Sequence, residues 1–280
     1  MHLKNYHVDF QNPKPKMQNI KIFQIDTFTE KLFSGNPAAV CILEQWLPED
    51  LMQSIANENN LAETAFIVPI GKDFEIRWFT PTTEVDLCGH ATLAAAFVQF
   101  NLLGYTESTI RFHAPRSGWL SVIKIEDMLY LDFPTDDLEL IDGMQYTIEY
   151  CIGIKPTAVY KGKTDYIVII DNENELKNIN PNLIEISKLN ARGLIVTSKG
   201  DRVDFVSRFF APQSGINEDP VTGSAHTSLL PIWAKKLEKT KFIALQLSQR
   251  GGQLICEFNN DRCLIGGKAK LYLTGVINLE

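Results

Sequence analysis

Residues 91–103 read ATLAAAFVQFNLL, with apolar groups at nearly every position. Alanine and leucine are strong helix formers, and a helix that is apolar on every face has no side to show to water. Whatever this chain folds into must therefore cover that segment all round. The neighbouring sequence supplies the cover: IKIFQIDTF, AAVCIL, ETAFIVPI and EIRWFTP come before it, and STIRFHAP, GWLSVIKI and DMLYLDFP after it. Each is a short strand pattern set off by turn residues. The first half of the chain thus reads as largely β around one buried helix.

The second half repeats the plan. Strand patterns TAVYKG, DYIVII, GLIVTS and VDFVSRFF lead to a helical segment, SAHTSLLPIWAKKL, and then to FIALQLSQ, GQLICEF and RCLIGGKAKLYLTGVI. A glycine-containing turn introduces each central helix: Cys88-Gly89-His90-Ala91-Thr92 in one half, Thr222-Gly223-Ser224-Ala225-His226-Thr227 in the other. The matching order of elements points to an internal structural repeat, and 280 residues at 45% hydrophobic content suffice for two cores. Pro231 is expected to start or kink a turn, because proline cannot donate to a helix ladder. Asn12-Pro13-Lys14-Pro15-Lys16 reads as a linker, which sets residues 1–18 apart as an N-terminal extension.

Charge and cysteine usage remove several kinds of partner. A formal net charge of -7 leaves no overall basic field to attract nucleic acid or an anionic membrane surface. There is no run of about 18 apolar residues to span a bilayer. Cys41, Cys88, Cys151, Cys256 and Cys263 are odd in number, scattered and free of CxxC spacing, which argues against a disulfide framework and a thiolate zinc site. A reducing cytoplasm and a small-molecule partner are the expectations that remain.

Four segments carry candidate chemistry: SGNPAAV at 34–40, NLAETAF at 60–66, DLCGHAT at 86–92 and NEDPVTGSAHT at 217–227. The unpaired N–H groups of a helix start, approached closely through glycine, form a place for an anion. Two such starts facing one cleft would grip a carboxylate. Read singly, Gly89 and Gly223 are turn glycines and Ser224 a helix cap. Glu63, beside the apolar Ala65-Phe66-Ile67-Val68 run, is a general-base candidate if a semi-apolar setting raises its pKa. Read alone it is a structural glutamate, His90 a helix-start residue bonded to backbone, and Asp219 a turn residue before Pro220. His226 and a buried Cys88 carry the same bland alternatives. No ligand set with zinc spacing surrounds His90, His226 or Cys88, so no metal is expected there.

Taken in order, SGNPAAV, NLAETAF, F-T-P-x-x-E-V-D-L-C-G-H-A-T, R-F-F-A-P and E-D-P-V-T-G-S-A-H resemble the signature of the phenazine-biosynthesis isomerase-like family, which shares the diaminopimelate epimerase fold. The resemblance spans nearly the whole chain after residue 18. It implies an α+β fold of two similar domains, each a β-barrel wrapped around a central helix, related as a pseudo-two-fold internal repeat. Barrel domain 1 would cover 19–125 with a returning C-terminal strand at 268–280, and barrel domain 2 would cover 126–267. The site would lie in the cleft between them.

At that site the resemblance makes Glu63 the proton-transferring carboxylate, with His90 and Asp219 assisting. Gly89, Thr222, Gly223 and Ser224 would hold a small carboxylate-bearing substrate. No cofactor and no metal are implied, and a homodimer is. Cys88 falls where the two-thiol epimerases of this fold place one cysteine, but Asp219 stands at the second position, which favours isomerisation over symmetric two-base racemisation. A cofactor-independent epimerase using Cys88, which predicts a reactive low-pKa thiol, and a non-enzymatic binding protein are the alternatives.

Overall fold

The computed structural model describes residues 18–279, which form a mixed α/β fold. The expected extension over 1–18 lies outside the described residues apart from Gln18, which opens the first strand. The first half contains β1 (Gln18–Thr27), β2 (Asn36–Ile42), α1 (Glu49–Asn59), β3 (Glu63–Ile70), β4 (Asp73–Phe79), β5 (Glu84–Val85), α2 (Gly89–Phe97), β6 (Thr109–Ala114), β7 (Gly118–Ile125) and β8 (Met128–Pro134). The second contains β9 (Glu139–Leu140), α3 (Gln145–Ile152), β10 (Ala158–Lys161), β11 (Tyr166–Ile169), α4 (Glu173–Lys177), α5 (Leu183–Ile186), β12 (Leu194–Lys199), β13 (Phe205–Phe210), α6 (Ala225–Leu237), β14 (Lys241–Gln246), β15 (Gly252–Asn259), β16 (Arg262–Gly267) and β17 (Ala269–Leu279).

Strand pairing shows the repeat directly. From β1 through β2, β3, β4, β6 and β7 to β8 the pairs run antiparallel, parallel, antiparallel, parallel, antiparallel, antiparallel. From β10 through β11, β12, β13, β14 and β15 to β16 the series is the same. A parallel pair needs a crossover between its strands. In the first half α1 links β2 to β3 and α2 links β4 to β6; in the second, α4 and α5 make the first crossover and α6 the second. Burial alternates in the same phase in equivalent strands: Ile110, Phe112 and Ala114 face inward from β6, as Phe242, Ala244 and Gln246 do from β14.

The halves meet where β8 pairs antiparallel with β16, Leu131 opposite Ile265. Each chain then crosses to the other side of this seam. After β8, β9 pairs with β10; after β16, β17 returns to pair with β1 along ten positions. The apolar segment becomes α2, with Gly89 through Ala96 all buried, packed on β1, β2, β3, β7, β8 and β17. Its last turn widens into a π-helical turn over Val98–Leu102.

Two local expectations change. The strand patterns leave room for one helix in the first half, yet α1 is a second. Its signals are modest but physical: Pro48 before the first turn, Glu49 and Asp50 where the helix dipole favours carboxylates, a buried Met52, Ile55 and Ala56 face, and Asn60 closing it at φ 48°. Pro231 does not begin a turn, because α6 continues through it. The carbonyl of Thr227, which Pro231 cannot satisfy, accepts the N–H of Asp136 at 3.3 Å instead.

Leu131 occupies the centre of the seam. A Cβ placed on Gly89 would sit 3.5 Å from its Cδ1, and one on Gly223 4.0 Å from the same atom, so both helix starts pack on one leucine. Leu131 is fully buried, and truncating such a residue typically costs about 2–5 kcal/mol. Leu131→Ala is therefore expected to lower the unfolding free energy by that amount in urea titration, and a loss below about 1 kcal/mol would show that the seam does not rest on it.

Candidate active site

In the first half, β3 and α2 bring three reactive groups together. Glu63 is the first residue of β3, opposite Ala38 of β2. Cys88, extended at φ -141°, leads into α2, whose first residues are Gly89 and His90. His90 Nε2 lies 3.2 Å from Glu63 Oε2, and His90 Nδ1 lies 3.4 Å from Cys88 Sγ. The carboxylate contact is close but not aligned as a hydrogen bond, which leaves Glu63 Oε2 and His90 Nε2 without a bonding partner among the described residues, although both are buried. Burial opposes charge on the His90 imidazole, but its acidic neighbours Cys88 and Glu63 outweigh burial and raise its pKa well above the ordinary value. Burial also pushes the Cys88 thiol up, reinforced by the Glu63 charge, which is the reverse of the reactive thiol that the epimerase alternative requires.

The donor atoms of Glu63, Cys88 and His90 lie within 4.8 Å of one another. Sequence spacing does not reveal this grouping of metal-ligand types. The imidazole stands between the other two, one nitrogen toward each, so the arrangement suits a proton relay better than convergence on one ion.

In the second half a tight turn carries the chemistry. Asp219 is buried; its Oδ2 accepts the Thr222 hydroxyl at 2.5 Å, and its Oδ1 accepts Asn36 Nδ2 at 2.9 Å. Asn36 also donates to the Val221 carbonyl, so this β2 side chain ties the two halves together at the site. Gln246, at the end of β14, accepts the Thr222 N–H and donates to the Asp219 carbonyl and the Thr222 hydroxyl. Burial pushes the Asp219 carboxyl up to about 6; the His90 charge opposes that rise and the Glu63 charge adds to it.

Position by position the helix starts are equivalent, with different chemistry, and the repeat sets Thr222, not the expected Asp219, in the place of Cys88. Thr92 donates its hydroxyl to the Cys88 carbonyl at 2.6 Å; the residue in the same place in α6, His226, has Nδ1 3.0 Å from the Thr222 carbonyl. Burial pulls His226 down to about 4, so at neutral pH it is an uncharged donor that fixes the turn. Ser224 replaces His90, and it does not cap α6: its hydroxyl accepts from Arg192 Nη1 and Nη2 at 3.2 Å. Thr64 and Leu194 each begin their antiparallel pairings, which makes Gly193 the counterpart of Glu63. A Cβ on Gly193 would come 2.5 Å from the Phe209 ring, so no second base can occupy that place.

The structure thus places Glu63 with Cys88 and His90, and Asp219 with Thr222. Gly89 and Gly223 share Leu131, and Ser224 is held by Arg192. Asn36, Gln246 and Arg192 were not singled out as site residues from sequence. Asn36 lies within the quoted SGNPAAV segment, and the glycine before it has φ +69°, where a Cβ would collide with the Thr27 carbonyl. Gln246 and Arg192 have no local signature; distant pairing brings them in.

Comparison with known proteins is consistent over the whole length. A family model described as phenazine biosynthesis-like protein matches residues 25–275. An uncharacterized isomerase of Pseudomonas aeruginosa is 47% identical over 260 residues, covering 93% of this chain and 99% of its own. A crystal structure of a phenazine biosynthesis family protein from Enterococcus faecalis has TM-score 0.88 at 46% identity, covering 94% of this chain and 100% of its own. A hydroxyproline epimerase of Agrobacterium vitis, solved with bound trans-4-hydroxy-L-proline, has TM-score 0.60 at 10% identity, with 94% and 92% covered, and shares the fold alone.

Because Asp219 rises from 3.8 to about 6 on folding, its protonated form is the one the fold favours. Below pH 3.8 both states hold the proton and no penalty exists; above about 6 both are ionised and the penalty is complete. The wild-type unfolding free energy is therefore expected to fall relative to that of Asp219→Asn between pH 4 and pH 7, by on the order of 3 kcal/mol. Parallel stability curves across that window would contradict the raised carboxyl.

Proposed function

Since this chain belongs to the phenazine biosynthesis-like family, we propose that it is an isomerase that moves a proton on a small carboxylate-bearing substrate. The observation that carries this reading is the buried Glu63–His90 contact, 3.2 Å long and not satisfied as a hydrogen bond. A carboxylate in that state can turn to a substrate carbon acid without first breaking a good bond.

Glu63 removes a proton from a carbon acidified by an adjacent double bond or carboxylate and returns it at a conjugated carbon. Electrons shift along the conjugated system, so the double bond migrates and no atoms are gained or lost. His90, with its raised pKa, donates to the developing negative charge. Asp219, near its midpoint at about pH 6, accepts or supplies a hydrogen bond to the substrate as needed. The amides that open α2 and α6 hold the carboxylate. Glu63, His90 and Asp219 handle every proton this reaction moves, so the proposal assigns no step to a metal or an organic cofactor.

The one-sidedness of the site supports isomerisation over epimerisation. A symmetric two-base epimerase needs equivalent bases from the two halves, yet Gly193 is the repeat counterpart of Glu63, Thr222 is that of Cys88, and burial pushes the Cys88 thiol pKa up. We also propose that each half curls around its central helix as a barrel, with the substrate between them.

Glu63→Gln keeps the shape of the side chain but cannot take the proton, and losing a positioned base typically lowers rate by roughly a hundredfold to ten-thousandfold. Wild type and Glu63→Gln would be incubated with unsaturated and amino carboxylic acids in deuterated water, with product formation and carbon-bound exchange followed by NMR. Turnover at the wild-type rate in the variant would transfer the base role to Asp219. Cys88→Ala is expected to retain most activity; a loss of a hundredfold or more would revive the thiol-based epimerase.

A further inference from the structure

Of Glu63, Gly89, His90, Asp219, Thr222, Gly223 and Ser224, Ser224 is the one that is half-buried, the other six being buried. Ser224 is thus the site residue with the most contact with solvent. It is held by Arg192, and Arg192 also lines an open depression of about 480 Å³. The other polar or charged lining residues are Lys161, Lys163, Thr164, Asn190 and Gln213. Three cations and no carboxylate line this depression, on a chain whose formal net charge is -7.

Arg192 is built to stay in place. Asp165 accepts Nε at 3.0 Å and Nη2 at 2.5 Å, and the guanidinium lies 5.3 Å from the Phe209 ring centroid. Of its five N–H groups, these bonds and the two to Ser224 occupy four, which leaves one Nη1 hydrogen for a ligand. The exposed Lys163 ammonium forms no ion pair among the described residues. Where the first half sets a carboxylate beside His90, the second sets a guanidinium beside Ser224, and that guanidinium also borders the depression that Lys161 and Lys163 line.

Building on the isomerase reading, we propose that Arg192, Lys161 and Lys163 form an anion-recognition subsite at the mouth of the active site, selecting substrates with a second anionic group distal to the carboxylate held at the helix starts. The preferred substrate class is then a dicarboxylate or a phosphorylated carboxylic acid. The one free Arg192 N–H and the two ammonium groups can meet either anion with charge-assisted hydrogen bonds.

The test needs no turnover and is best done in Glu63→Gln, which removes the proposed base without touching the depression. Its outcome therefore stands apart from that of the proton-transfer assignment. Calorimetry at low salt would compare the dicarboxylates succinate, glutarate, adipate and pimelate with monocarboxylates of equal chain length; phosphoglycolate would serve as the phosphate arm. At least one dianion is expected to bind roughly tenfold or more tightly than its monoanionic counterpart, as one charge-assisted bond allows. That preference should shrink with added salt and disappear in Lys161→Gln/Lys163→Gln, with monoanion affinity unchanged. Arg192→Lys should reduce it while keeping the charge beside Asp165, which guards against misfolding. Equal affinity for mono- and dianions, no dianion binding at millimolar concentration, or parallel loss of both classes in the lysine variant would overturn the proposal.

Discussion

The β8–β16 ladder holds this molecule together in both senses. It joins two strand series of identical pairing order, and it sets Leu131 beneath the glycines that open both central helices. Together with the β1–β17 pairing, that ladder joins the half that carries Glu63 on β3 to the half that carries the Asp219 turn. With it, a dry seam fixes two helix starts against one side chain, and preorganised polar groups can act on each other through little intervening solvent. Asn36 reinforces the arrangement from β2 by reaching the Asp219 turn.

The repeat supplies geometry and then departs from itself where chemistry is needed. Thr92 and His226 make the same backward bond, and Gly89 and Gly223 the same approach, because both helix starts must be shaped alike. Glu63 and Gly193 differ, as do His90 and Ser224. One half sets a carboxylate beside an imidazole and the other presents a hydroxyl backed by a guanidinium. The Phe209 ring fills the space at Gly193, so the second half has no counterpart of the Glu63 side chain.

Much of this was legible in the sequence, for identifiable reasons. The nearly all-apolar run 91–103 reads as an enclosed helix, and residues 91–96 are enclosed while Leu103 at its end is exposed; the strand patterns alternate where one face is wet, as in β6 and β14, whereas β13 is buried throughout. Glu63, His90, Asp219 and Ser224 stood in motifs whose order carried the family resemblance. The helix α1 was hidden because its apolar face is short and lies between two strong strand patterns. Pro231 misled because the rule against helical proline assumes that the orphaned carbonyl finds no partner, whereas Asp136 provides one. Gln246 and Arg192 act across 24 and 32 residues of sequence, on the Thr222 N–H and the Ser224 hydroxyl, and no local pattern announces a contact of that span.

The exchange of β9 and β17 across the seam also bears on how the polypeptide is made. β1 has β2 on one edge, and its other edge is covered by β17, whose residues are synthesised about two hundred and fifty positions later. During translation an N-terminal half would wait with that edge bare, a template for any passing strand. Closing so distant a pair carries a large loop entropy and slows folding. The interlock between the two halves thus makes burial of the free β1 edge wait for the strand that is made last.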